Sequence, residues 1–278
     1  MTESIQDVSR SRNLLFELVR RDIRVRYKQA AMGFLWAFFM PIMVVLSGLI
    51  VRLILSQFGE STVDGAVIGG LALKAVPWGF VVGGLGFTTS SLVSNRSLIT
   101  KVYFPREVLP LAALLAQAFD TGVATLGVAV VLPFLGIAFS PALLWVPILV
   151  LLVFLLTLAF GLALSCANIF FRDVRYIVQV VLSFGIFVTP VFFEPYMLGP
   201  LGSWIVMLNP VAPLLEGLRL AVIEGHDLLS PLTMLVDGDT LVIWRPAYLA
   251  YSAVCAVGGL ALAARLFRGS VASFAEYA

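Results

Sequence analysis

Between Thr121 and Phe171 the chain runs for 51 consecutive residues without a charged side chain. A stretch this long and apolar has one ready solvent, the hydrocarbon of a bilayer, where each backbone polar group must be satisfied inside its own helix. At about 20 residues per crossing it is too long for a single helix. Pro133, Gly136, Pro141 and Pro147 mark the break, which predicts span three over 108–135 and span four over 143–169. Composition agrees with a membrane solvent: 60% of residues are hydrophobic and 12% charged, against about 25% charged in a soluble domain.

The same criterion places span one at 33–55, with Arg52 near its end and a kink expected at Pro41, and span two at 66–93, interrupted by Lys74. Span five is expected at 176–194 and span six at 246–264. Pro195–Leu215 is uncharged and long enough to cross, yet it carries Pro195, Gly199, Pro200, Gly202, Pro210 and Pro213. That density of helix breakers argues for a pair of short re-entrant helices between spans five and six, rather than a seventh span. Charge decides between the two. With six spans and both termini cytoplasmic, fourteen of the 18 Lys and Arg lie inside, as the positive-inside rule asks; Arg52, Lys74, Arg219 and Arg245 fall outside. A seventh span would strand Arg265 and Arg268. The fold class is therefore an all-α integral membrane protein. Residues 1–32 form a cytoplasmic N-terminus with an amphipathic helix, and 33–278 form a single transmembrane domain. The charged lead up to Lys28, the long apolar stretch behind it and the missing A-x-A site do not fit a cleaved signal peptide.

The chemistry this chain can hold is restricted. The only lysines, Lys28, Lys74 and Lys101, follow Tyr27, Leu73 and Thr100, so no lysine follows the glycine that a P-loop requires. The single histidine, His226, has no metal-ligand spacing around it. Cys166 and Cys255 sit in separate apolar stretches and read as packing residues. No catalytic residue, metal site or bound cofactor is expected, and the net charge of +2 gives no reason to expect a nucleic-acid partner. One acid remains inside a span. Asp120 stands about 20 Å along span three at 1.5 Å per residue, a depth at which an ionisable group is costly. A coupling role and a locally hydrogen-bonded carboxyl helped by Gln117 are both open.

Three segments stand out. In Asn13–Lys28, Phe16, Val19, Ile23 and Tyr27 recur at helical spacing while Arg20, Arg21, Arg24 and Lys28 lie mostly elsewhere on the wheel. Such a helix can lie on the cytoplasmic surface against anionic lipid, or serve only as a topology signal. The loop Asn95–Glu107 ends with Pro105 at a natural first helical position; on physical grounds alone it is an ordinary connection. Phe34, Trp36, Phe38 and Phe39 crowd the start of span one, and Phe184, Phe187, Phe192, Phe193 and Tyr196 run along span five and past it. Anchoring and lipid contact explain most such rings; a ring-lined pathway for sugars is the sharper reading.

Taken in order, LLFELVRRDIRVRYKQAAMGFLWAFFMPIM, NRSLITKVYFPREVLPLA, FRDVRYIVQVVLSFGIFVTPVFF, LNPVAPLLEGLRLAVIEG and the tail FRGSVASFAE resemble the permease subunits of type-2 ABC exporters that move lipid-linked polysaccharides such as O-antigens, capsules and teichoic acids. The likeness runs over nearly the whole chain. It implies that Asn13–Lys28, with Phe16, Arg20, Arg21, Arg24, Arg26 and Tyr27, is an interface helix beside an ATPase. It implies a coupling helix within Asn95–Arg106, with Asn95, Arg96, Lys101, Tyr103, Phe104, Pro105 and Arg106 docking on that ATPase. Pro195–Arg219, with Asn209, Pro210, Glu216 and Arg219, would form the re-entrant helices. Two copies of the chain would enclose one channel lined by spans one and five, with ATP and Mg held by two P-loop ATPase subunits and a lipid-linked glycan as cargo.

The resemblance thus implies the channel-forming subunit of an ATP-driven exporter in the inner (plasma) membrane. Related permeases that move drugs or lipids share the fold. A secondary transporter working alone would need coupling groups in its spans, where Asp120 is the main one. A membrane enzyme acting on a lipid-linked sugar would need a cluster of acids or a metal site, and the sequence shows neither.

Overall fold

A computed structural model describes residues 11–28, 35–56, 64–101, 104–236 and 239–271. Ten α-helices form within them: α1 (Arg12–Tyr27), α2 (Leu35–Ser56), α3 (Gly65–Ser94), α4 (Arg96–Lys101), α5 (Val108–Val131), α6 (Trp145–Phe170), α7 (Val174–Val188), α8 (Gly199–Met207), α9 (Ala212–Val222) and α10 (Pro246–Val271). Four described helical stretches are long and apolar enough to cross a membrane: Gly65–Ser94, Val108–Leu135, Pro141–Phe170 and Pro246–Ser270. Pro41–Ile54 within α2, and α7, are shorter apolar helices.

Local chemistry sets the ends. Asp64 caps α3 by accepting the Val67 amide at 2.9 Å, satisfying one orphan donor of the first turn. The break in the long uncharged stretch falls where its Pro and Gly residues lie. A 3-10 turn over Leu132–Leu135 closes at Gly136, whose φ of 79° suits a residue without Cβ, and a second turn over Pro141–Leu144 leads into α6.

The helix found where span five was expected is shorter than the apolar run on which that span was placed. The helix α7 stops at Val188, not near residue 194, because Thr189 turns extended ahead of Pro190. Its 15 residues cover about 22 Å at 1.5 Å each, short of the roughly 30 Å of hydrocarbon. A 3-10 turn (Pro195–Leu198), α8 and α9 follow, so short helices occupy the Pro- and Gly-rich segment. Among the described residues the one pair of strands is an antiparallel hairpin of β1 (Leu232–Val236) and β2 (Asp239–Trp244), in which Thr233 pairs with Val242 and Leu232 with Trp244.

The core gathers around α3, α6 and α9. Phe80, Leu114, Leu149, Leu156, Leu214 and Trp244 belong to one buried cluster, and every residue of α9 is buried. Trp244 keeps its indole N–H satisfied by donating to the Leu228 carbonyl at 2.9 Å. Close approach of α3 and α6 depends on Gly161, where a Cβ would stand 2.6 Å from Thr88 Oγ1. A second cluster lies at the α4 end, where Leu18 of α1 packs with Leu92, Ile99, Val108, Leu109, Leu162 and Phe267. By contrast, α2 and α7 leave long apolar faces uncovered: Ile42, Leu46, Ile50 and Ile54 on one, Ile177, Val181, Phe184 and Val188 on the other.

Candidate functional site

The first group of candidate side chains is assembled by α1. This helix packs along α5, and its two faces separate its basic residues. Arg20, Arg21 and Arg24 are exposed, with Arg21 donating to its neighbour Asp22 at 2.8 Å. Arg26 turns inward. Its Nη1 donates to Asp120 Oδ2 at 2.5 Å and to Gln117 Oε1 at 2.9 Å, and the guanidinium lies 3.8 Å from the centre of the Phe87 ring. Tyr27 donates to the other Asp120 oxygen at 2.6 Å. Burial, and then the neighbouring Asp120 carboxylate, push the Tyr27 hydroxyl above its usual pKa, so it stays a donor. Of the expected apolar face, Val19, Ile23 and Tyr27 are half-buried, but Phe16 is 65% exposed and Leu18 takes the buried position.

Asp120 is thus held by two side chains of the N-terminal helix, while Gln117 bonds Arg26 instead of the acid. These groups form the polar end of a cavity of about 570 Å³. Its other walls come from α2 (Pro41, Val44), α3 (Trp78, Val82) and α7 (Leu182, Ile186). A chamber with one charged, hydrogen-bonding end and apolar walls suits an amphiphile better than a small polar solute.

The segment expected to couple contains the six-residue helix α4. Asn95 closes α3 by donating from its side-chain amide to the Ser91 carbonyl at 2.8 Å. Ile99 is buried in the α1 cluster and Phe104 packs against it, while Arg96 and Lys101 are exposed. Pro105 and Arg106 are half-buried and lead into α5. Tyr103 lies outside the described residues. One hydrophobic cluster therefore joins α1, α4 and the starts and ends of α5, α6 and α10.

Among the aromatic candidates, Phe34 and the side chain of Trp36 lie outside the described residues. Phe38 is turned against α5, where a Cβ on Gly127 would meet its ring at 2.6 Å. Phe39, Phe184 and Phe187 are exposed. Phe192 stacks edge-on to Phe187 at 6.2 Å between centroids. Phe193 and Tyr196 are half-buried.

At the opposite end of the bundle the structure collects charges that sequence reading left as singletons. Arg52 of α2 pairs with Glu194. Lys74 of α3 donates to the Phe193 carbonyl at 2.8 Å and stands 3.9 Å from both Glu194 and Glu216. Arg219 grips Glu216 through Nε at 2.9 Å and Nη2 at 2.6 Å, and Glu224 through Nη1 at 2.6 Å. Glu216 and Arg219 were named from their segment; Arg52, Lys74 and Glu194 were not. Their one sequence signal is that the three basic members belong to the four basic residues left outside by charge placement.

Beside this cluster, Asn209 and Pro210 make a fastened turn. The Asn209 amide donates to Thr189 Oγ1 at 2.9 Å and its carbonyl accepts the Val211 N–H at 3.1 Å. From α10, Tyr251 donates to the Leu208 carbonyl at 2.6 Å and Ser252 to the Pro210 carbonyl at 2.9 Å.

The ABC-2 type transporter family matches residues 13–223, from α1 to just past α9. Over 252 residues the chain is 27% identical to the O-antigen export system permease protein RfbA of Myxococcus xanthus, covering 88% of this chain and 94% of that protein. It is 28% identical over 218 residues to a Klebsiella pneumoniae protein of the same name, covering 77% of this chain and 81% of that one. A second Klebsiella pneumoniae protein so named is 25% identical over 217 residues.

Proposed function

The chain belongs to the ABC-2 type transporter family, and on that premise we propose that it is the membrane subunit of an ATP-driven exporter that carries a lipid-linked, O-antigen-like polysaccharide across the inner membrane. The observation that carries this reading is the alignment with an O-antigen export permease over 94% of that protein's length. The family match over residues 13–223 reaches the N-terminal helix, α4 and α9 as well. A drug or lipid permease of the same family remains the alternative cargo class, and the names of the relatives favour the glycan.

In this reading α2 and α7 join the four long helices as spans one and five, making six, with both termini in the cytoplasm. The short helix α7 is completed across the outer leaflet by the re-entrant pair α8 and α9. Two copies of the chain form the channel. The uncovered apolar faces of α2 and α7 support that, since a face that no helix of its own chain covers is left for a second copy or lipid. Each copy binds one P-loop ATPase, which supplies ATP hydrolysis and its Mg. α4 and Phe104–Arg106 dock on that ATPase, and α1 lies beside it as the interface helix.

The shared hydrophobic cluster gives this coupling a physical route. Ile99 of α4 and Leu18 of α1 sit in one buried cluster, so a push on α4 moves both α1 and the start of α5. Arg26 and Tyr27 then carry the displacement to Asp120 in α5. A partner shifts such an equilibrium only through contacts that differ between states, which assigns that role to the surface around Arg96, Lys101 and Arg106.

The test is purification of the tagged chain in mild detergent from its native membrane. A P-loop ATPase recovered in one-to-one ratio is the expected result. A preparation free of any ATPase that still transports would overturn the proposal.

A further inference from the structure

The charge cluster at the α9 end contains an arrangement that a purely structural ion-pair network would not need. Arg52, Lys74, Glu194, Glu216 and Arg219 are all buried. Glu216 and Arg219 lie on the same helix one turn apart and are bonded twice, with Glu224 completing the arginine. That part moves as one body. The remaining carboxylate, Glu194, is held by Arg52, the only charged residue in α2. Lys74 forms a long ion pair with each acid and hydrogen-bonds neither. It stands 3.9 Å from each and donates its hydrogen bond to the Phe193 carbonyl, while Glu216 Oε2 has no hydrogen-bond partner.

Five charges of the cluster are buried, three cations and two carboxylates, and Glu224 on Arg219 supplies the third carboxylate. If Arg52 leaves, Arg219 keeps Glu216 and Glu224, and Lys74 has only to close the gap to Glu194. Breaking a buried ion pair is ordinarily prohibitive because the partner is stranded. Here the stranded partner has a replacement beside it. At Gly48 α2 comes close to both neighbours, since a Cβ there would stand 2.9 Å from the Leu71 side chain of α3 and 3.1 Å from that of Phe192 in the 192–197 segment. Arg52 also touches Met197 Sδ at 3.5 Å in the same segment.

We propose that Arg52 and Lys74 form an exchangeable lock at this end of α2: Arg52 on Glu194 holds α2 against the 192–197 segment, and Lys74 takes over Glu194 when α2 moves away. The inference rests on the exporter reading, in which α2 lines the pathway and this end faces outward, so that the lock keeps the exit shut between transport cycles. Arg52 and Lys74 are positioning residues that touch each other's acid rather than the cargo.

The test is a pair of spin labels at Ile54 of α2 and Leu201 of α8, both exposed, with Cys166 and Cys255 replaced by Ala. The chain is co-purified with its ATPase in lipid nanodiscs, and the distance distribution is read by double electron–electron resonance. The parent should show a short distance without nucleotide and gain a longer population with ATP and vanadate. Arg52→Gln should show the longer population without nucleotide, Arg52→Lys should behave as the parent, and Lys74→Met should lose most of the nucleotide-driven population. Glu194→Gln gives the same readout as Arg52→Gln should the latter fail to fold. Parent-like distributions in Arg52→Gln and Glu194→Gln without nucleotide, or a full nucleotide response in Lys74→Met, would overturn the lock. A parent that ignores nucleotide while Arg52→Gln still lengthens the distance would leave the lock standing and sink the exporter reading instead.

Discussion

Arg26 and Asp120, 94 residues apart in sequence, meet at 2.5 Å and fasten the end of the N-terminal helix to the middle of α5. The pair is only 18% and 14% exposed, so neither group can fall back on bulk water when the other is removed. Asp120→Asn keeps the volume and one acceptor but leaves the guanidinium without its counter-charge. Partial exposure places the expected loss at about 2 kcal/mol, below that of a fully buried pair. Thermal unfolding in detergent should show a lowered Tm for Asp120→Asn and for Arg26→Gln, and a double variant less damaged than the sum of the two. Additive losses would mean the two residues act separately.

Tyr27 shares Asp120 with Arg26 and donates at 2.6 Å. Tyr27→Phe removes that donor alone, which should cost about 1 kcal/mol. In the exporter it should lower ATP-driven transport more than it lowers Tm, because Tyr27 fastens the end of α1 to α5 on the proposed coupling route. Equal transport by Tyr27→Phe and the parent would remove this residue from the coupling route.

Gly161 admits the side chain of Thr88 across the α3–α6 contact. Gly161→Ala should cost about 1–3 kcal/mol by overpacking. Thr88→Ala should recover part of that loss in the double variant, since it removes the atom standing 2.6 Å from the new methyl. The Thr88 hydroxyl bonds only to carbonyls of its own helix, so its loss strands no partner. Differential scanning of the purified variants reads this directly.

Asn209→Ala removes two hydrogen bonds, to Thr189 and from Val211, in a turn packed against buried residues. About 1–3 kcal/mol is expected, mostly from stranding the buried Thr189 hydroxyl. Thr189→Val in the Asn209→Ala background should restore part of the Tm. An unrestored Tm would show that the turn depends on its bonds to Tyr251 and Ser252 instead.

Charge reversal at Arg106 tests the docking surface. Arg106→Glu should reduce the stimulation of ATP hydrolysis by transport while the chain still reaches the membrane in normal amount. Unchanged coupling would move the contact away from the start of α5.

Where helices run was legible because charge and proline punctuate the apolar runs: α3, α5 and α6 lie within a few residues of the expected spans. Where α7 ends was not, because Thr189–Phe193 is as apolar as the helix before it, and hydropathy does not separate a helix from extended chain; the Thr189–Pro190 pair held the signal. The hairpin was missed although Asp237–Gly238 between β-rich runs is a turn signature. Asp120 was conspicuous as a lone acid in an uncharged span, yet its partner was hidden, since Arg26 sits among five other basic residues of one helix-length segment (Arg12, Arg20, Arg21, Arg24 and Lys28). Arg52, Lys74 and Glu194 come from distant segments, and only folding brings them within reach of one another.

The most direct measurement of the central claim is transport itself. The chain and its co-purified ATPase are placed in inside-out vesicles loaded with a fluorescent lipid-linked glycan in the outer leaflet, and access of a glycan-cleaving enzyme added outside is followed. ATP should protect the glycan by moving it to the lumen, and no protection should occur without ATP or in a chain carrying Arg106→Glu. Protection that is independent of ATP, or absent with every glycan carrier while a drug or simple lipid is moved, would contradict the account.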